Sequence, residues 1–242
     1  MHDPLHLLLP FLAAFVFALG NVLQKRAFHE GAGVLPVFVL NNVALGLAFL
    51  PMLAMPHEPV PWGRLWQPVV AGFGFFIGSI LGLIALRRGD VSLVTPLLGT
   101  KVILVAAVSA LAFRVPLAGG QILAAGLTTL GVFVMGATEW RPGGRVGEST
   151  LLAVACSLGF AVCDTLIQQW AAPFGVRTFV PLLFGTLGML SLGVAMAYGR
   201  PALRVPPPAW KWMAAAATAV VTQAMLITLA IAWWRDATGV NV

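Results

Sequence analysis

The chain has 242 residues, of which 60% are hydrophobic and only 9% charged, with a formal net charge of +6. A soluble domain needs about a quarter of its residues charged to cover its surface, so this composition excludes a water-soluble globular protein and places the chain in lipid. The cations stand singly or in pairs between apolar runs, with no basic stripe of interleaved aromatics. That pattern excludes a nucleic-acid surface and assigns them to anionic lipid headgroups.

A helix crossing the hydrocarbon layer needs about 20 mostly apolar residues. Cut at its charges and Pro/Gly clusters, the sequence yields eight such segments: 5–24, 33–55, 66–86, 91–113, 118–137, 150–171, 178–198 and 209–234. The runs do not alternate, which predicts helices and not barrel strands. The expected fold is therefore all-α, a polytopic bundle of eight transmembrane helices.

The first segment has no basic stretch before it and no clear small-residue cleavage site, so it reads as a helix of the mature protein and not as a signal peptide. It carries Asn21, followed by Gln24 and Lys25. The second carries Asn41 and Asn42 in mid-run. Adjacent residues cannot face the same way on a helix, so one is expected at a helix contact and the other at a cavity. In the third, Gly74, Gly78 and Gly82 share a face, a pattern that lets two backbones approach closely in lipid.

The fourth segment opens with Thr95, Pro96 and Gly99 and holds Lys101 in its middle, roughly 15 Å from either end at a rise of 1.5 Å per residue. Facing lipid there costs at least ~2.5–3.5 kcal/mol. Its helical neighbours Leu97, Leu98, Leu104 and Val105 are apolar, so a partner must come from another helix. Two roles stay open for Lys101, a substrate or coupling site and a structural ion pair.

In the sixth segment Asp164 is the only carboxylate well inside an apolar run, with Gln168 one turn on. It is a candidate partner for Lys101, a proton carrier, or a polar group near the interface. Cys156 and Cys163 stand seven apart on one helix face, a spacing that suits neither a metal site nor a disulfide within a regular helix. They are expected to be small buried hydrophobes.

The two halves resemble one another. "FALGNVLQKRA" (17–27) aligns with "FAVCDTLIQQWA" (160–171), placing Asn21 opposite Asp164, and "RGDVSLVT" (88–95) aligns with "WRDATGVN" (234–241). The offsets are 143 and 146 residues, in the same order. This argues for a repeat of five helices, residues 1–140, with a second copy in 146–242. An odd number of spans per copy makes the repeat inverted. The second copy lacks counterparts of the fourth and fifth helices.

The stretch "ALRRGDVSLVTPLLGTKVILVAAVSALAFRVPLAGGQILAAGLTTLGVFVMG" (85–136) resembles the second half of an EamA domain of the drug/metabolite transporter superfamily. "GNVLQKRAF" (20–28) is similar to the first helix of such proteins, including their magnesium-transporter-like branch. The resemblance implies ten helices, so two are expected to be missing here, as in a fragment, a truncated product or a divergent form. It also implies a glutamate just before the fifth helix, where this chain reads Arg114-Val115-Pro116. Orientation stays open. A cytoplasmic N-terminus, which the resemblance implies, would leave nine loop cations outside against four inside, and the positive-inside rule favours the reverse.

Enzyme signatures are absent. The four histidines (His2, His6, His29, His57) form no metal-binding pair, and neither a buried acid/base pair nor a phosphate-binding loop occurs. The expected function is a secondary transporter, an exporter, of a small polar metabolite such as an amino acid or organic anion across a bacterial-type inner membrane. Lys101, Asp164, Asn21, Asn42, Thr95 and Gln168 are the candidate substrate contacts. No cofactor or metal is expected. The partners are a small-molecule substrate and the bilayer, with a homodimer among the assemblies this allows. The alternatives are a divalent-cation carrier, which a mid-span lysine opposes on charge, and a non-transporting membrane protein.

Overall fold

The computed structural model describes residues 5–55, 59–113 and 144–238, with scattered helical positions between 119 and 134. Among the described residues the structure is helical, with no strand. The main helices are α1 (Leu5–His29), α2 (Val34–Phe49), α3 (Trp66–Arg88), α4 (Val91–Gly99), α5 (Lys101–Phe113), α6 (Gly144–Trp170), α7 (Val176–Ala202) and α8 (Pro207–Thr238). Two short 3-10 turns, Leu50–Ala54 and Trp62–Arg64, lie between α2 and α3.

Seven stretches are long and apolar enough to cross a membrane: Leu8–His29, Val34–Ala54, Trp62–Arg88, Val91–Leu111, Gly147–Trp170, Val176–Ala202 and Pro207–Ala232. They correspond to seven of the eight expected segments. The other, 118–137, lies for the most part outside the described residues, as does Arg114–Pro116.

The helix ends follow local chemistry. Pro51 has no N–H to continue α2, and the chain tightens into a 3-10 turn there. Gly31 turns the chain from α1 to α2 with φ 91°, a left-handed conformation that costs glycine nothing. Gly199, with φ 73°, interrupts α7 just before Pro201. The regular part of α7 thus stops where the expected seventh segment stops, at 198.

The described chain falls into two compact units, one of Met1–Gly72 with Trp170–Val242 and one of Phe73–Gln169. In the first, α1 packs on α8, and α2 packs on α7 and on α8. The α1·α8 pair is antiparallel. Gly20 faces Ala219, Arg26 lies over the ring of Trp212, and Gly31 meets Pro206.

The α2·α7 pair is antiparallel as well. Asn42 Nδ2 donates to Ser191 Oγ at 2.9 Å, Gly46 lies against the backbone of Phe184 and Gly188, and Phe49 meets Phe184 at 4.8 Å between ring centroids. Asn42 is therefore the asparagine at a helix contact. Asn41 is also buried, and its Oδ1 has no hydrogen-bond partner among the described residues. At the near end of α3, Gly72 sits against Leu183 and Thr186 of α7.

In the second unit α3 and α6 run antiparallel along a seam of glycines. A Cβ built on Gly78 would stand 2.8 Å from the Phe160 ring, and one on Gly82 would stand 2.9 Å from Cys156 Sγ. Gly74 meets Cys163 Sγ still more closely. Both thiols are free and buried. Water plays no part in driving helices together in lipid, so such close contact, with the dispersion it brings, is the main attraction available. The seam ends in an ion pair between Arg88 and Glu148.

Candidate functional site

The second unit also holds the charged pair. Pro96 lies inside α4, and α4 ends at Gly99. Thr100 then departs from the α-helical ladder. Its N–H bonds Leu97 O at 3.1 Å, and its Oγ1 donates to the same oxygen at 2.6 Å. A third donor arrives from α6, where Ser157 Oγ lies 3.0 Å from Leu97 O. One carbonyl thus collects three hydrogen bonds at the break, and α5 restarts at Lys101. The span is loosened at one residue only: Thr100 keeps right-handed helical φ −62° and ψ −12°, and the apolar run continues to Leu111.

From the first residue of α5, Lys101 Nζ reaches Asp164 Oδ2 on α6 at 2.8 Å. The expected partner from another helix is therefore Asp164. The Lys101 side chain is 33% exposed and that of Asp164 26%, so the pair is not sealed. The ammonium also lies 6.0 Å from the centroid of the Phe160 ring, within range of a weak cation–π attraction.

Helical spacing explains how α6 serves two neighbours. Ser157, Phe160 and Asp164 are three and four residues apart, which places them on one face toward the α4–α5 break. Cys156, Phe160 and Cys163 form the adjoining stripe against the α3 glycines. Phe160 belongs to both, and its ring also meets Phe75 at 5.2 Å. The wall beside the charges is therefore set by the glycine seam.

The other candidate contacts are distributed unevenly. Thr95, half-buried on α4, and Gln168, exposed on α6, belong to the same unit as the charged pair. Asn21 and Asn42 are buried and belong to the other unit, where Asn42 joins α2 to α7. Ser157 and Thr100 are absent from the sequence-derived set. Ser157 had one available signal, its position seven residues before Asp164 and so on the same helix face. Among the described residues no cluster of three or more His, Cys, Asp or Glu side chains could hold a metal ion.

No curated protein matches the chain. The EamA-like transporter family matches residues 5–137, which is more than half the chain and includes Lys101 but not Asp164. With its apolar membrane-length helices, the chain belongs to the EamA-like transporter family and is an integral membrane transporter of the drug/metabolite transporter superfamily.

Proposed function

We propose that this transporter is a secondary exporter of a small polar metabolite, such as an amino acid or organic anion, across a bacterial inner membrane, and that substrate binds at Lys101 and Asp164. One observation carries the reading. Two opposite charges meet at 2.8 Å inside membrane spans, beside a loosened turn of helix, with a quarter to a third of each side chain open. A pair kept only for structure must repay its desolvation through close geometry and further hydrogen bonds. An open pair within a span, beside a local loosening of the helix, leaves its charged heads accessible to a charged substrate. Lys101 would neutralise an anionic group of the substrate, while Asp164 would take an ammonium group or carry a proton. Thr95 and Gln168 would extend the site along α4 and α6.

The test is counterflow of labelled amino acids and organic anions into vesicles containing the purified protein. Asp164→Asn is expected to stop it, and Lys101→Met with Asp164→Asn is expected to stay inactive while keeping wild-type thermal stability. Wild-type counterflow in Asp164→Asn removes the pair from the mechanism.

We also propose an inverted repeat, residues 1–140 and 146–242, with 118–137 as its fifth helix. Exchanging α1 with α6, α2 with α7 and α3 with α8 turns the pair α1·α8 into α6·α3 and α2·α8 into α7·α3. It returns α2·α7 to itself. Contacts of each kind occur. The register agrees, because Gly20 aligns with Cys163 and their respective partners are Ala219 and Gly74. A two-fold axis relates antiparallel helices only when it is perpendicular to them. The antiparallel α2·α7 pair therefore supports an axis in the membrane plane.

The single substitutions His29→Cys, at the end of α1, and Pro173→Cys, just past α6, should then label with an impermeant maleimide from opposite faces of the membrane. Labelling of both from one face would rule out inversion.

A further inference from the structure

One cluster of charge takes no part in the site described above. At the end of the first unit where α1 finishes and α8 begins, two cations converge on one indole. The Arg26 guanidinium carbon is 5.6 Å from the Trp212 ring centroid, and Lys211 Nζ is 5.2 Å from it. The acid there is Glu30, 3.0 Å from Arg26. Among the described residues of this unit, the cations at that end outnumber the carboxylate and leave a net positive charge. The Trp212 Nε1 donor is buried and has no hydrogen-bond partner among the described residues. A net positive charge beside an unpartnered N–H donor suits an anionic acceptor.

We infer that the Arg26–Lys211–Trp212 cluster binds the phosphodiester of an anionic phospholipid. Several observations favour a lipid over a soluble anion. Val22, Leu19 and Phe15 lie four, seven and eleven residues before Arg26, so they continue its helix face into the membrane, and all three are exposed. They offer a track for an acyl chain directly beneath the charge. Trp210 is exposed beside Lys211, and tryptophan favours the headgroup level of a bilayer. Lys25, Arg200 and Arg204 belong to the same end of the unit as Arg26 and Lys211, against Arg64, Arg177 and Arg235 at the opposite end. That asymmetry turns the cluster toward the cytoplasmic leaflet, where anionic lipids concentrate.

The experiment is native mass spectrometry of the full-length protein after equilibration with vesicles of equal parts phosphatidylglycerol and phosphatidylcholine. The wild type should retain phosphatidylglycerol preferentially. Arg26→Gln and Lys211→Gln should each lower that preference about fivefold, the factor that a lysine or arginine at the membrane surface supplies. Trp212→Phe keeps the ring and removes the N–H, so it should lower the preference by a smaller factor. It also decides the matter if a charge variant does not fold. Arg64→Gln and Arg177→Gln should leave the preference unchanged. Equal retention in the wild type and in Arg26→Gln/Lys211→Gln overturns the proposal. So does displacement of phosphatidylglycerol by millimolar inorganic phosphate, which would assign the cluster to a soluble anion, and so does an unaltered preference in Trp212→Phe.

Discussion

Replacing Lys101 by methionine is expected to reduce counterflow to background while lowering the thermal midpoint by only about 2–4 °C, the shift that about 1 kcal/mol produces in a chain of this size. Methionine keeps the length and volume of the side chain and removes the charge. Truncating one member of a charge contact at a binding site costs about 2–5 kcal/mol, so transport should fall by about thirtyfold to several thousandfold. The structural penalty is smaller. An ion pair sealed in the interior loses about 3–5 kcal/mol when one partner is removed, but the Lys101–Asp164 pair is partly open. As a substrate site it opens to water, which hydrates the Asp164 left behind and brings the loss nearer the ~1 kcal/mol of exposed pairs. Counterflow in vesicles and a melting curve on the same preparation separate the two effects. Normal transport in this variant would falsify the functional assignment. A midpoint drop of more than about ten degrees, several times the shift expected here, with a proportionate loss of transport would make the pair structural.

The largest effect on folding should come from Gly78→Val. A Cβ at that position already falls 2.8 Å from the Phe160 ring, and valine adds two further methyl groups that χ1 cannot swing clear. Overpacking of this kind costs about 1–3 kcal/mol even where neighbours yield. Here the ring is confined further by Phe75, so α3 and α6 must separate. The expected result is a protein that inserts into the membrane but aggregates on size-exclusion chromatography in mild detergent. Two comparisons make this specific. Gly78→Ala with Phe160→Leu should recover a monodisperse peak that Gly78→Ala alone lacks. Gly185→Ala on α7, where a Cβ meets nothing within 4 Å, should be neutral or slightly stabilising. Equal behaviour of Gly78→Val and Gly185→Ala would show that the seam is not close-packed.

The features most legible in the sequence are those that the bilayer makes expensive. Lys101 and Asp164 stand out as candidate partners because each is isolated in apolar surroundings, where an unpaired charge is costly. The glycines at 74, 78 and 82 are legible because their spacing repeats the helix. The break after Gly99 is only half legible. Pro96 announces a missing donor, but the ladder is left at Thr100, whose hydroxyl competes for Leu97 O. Only the three-dimensional fold shows Ser157 helping at the same oxygen. Serine is common in small-residue runs, so its identity alone carries no signal. Helix ends are poorly legible for a different reason. α6 begins at Gly144 and α8 runs to Thr238, beyond the apolar segments 150–171 and 209–234, because a helix keeps its own hydrogen bonds after leaving lipid. Neither the Arg88–Glu148 pair nor the Asn42–Ser191 bond can be read from spacing, since both join residues remote in sequence.

The pairing of α1 with α8 sets an order on assembly. Gly20 emerges from the ribosome about 200 residues before its partner Ala219, a delay of about 10–40 s at ordinary synthesis rates. During that interval α1 sits in the membrane with Asn21 and Gln24, both buried in the finished protein, lacking the helix that will cover its face. Polar side chains in an apolar span join helices readily. Until α8 is made, whatever covers that face of α1 must be lipid or another helix, and forming the α1·α8 contact displaces it.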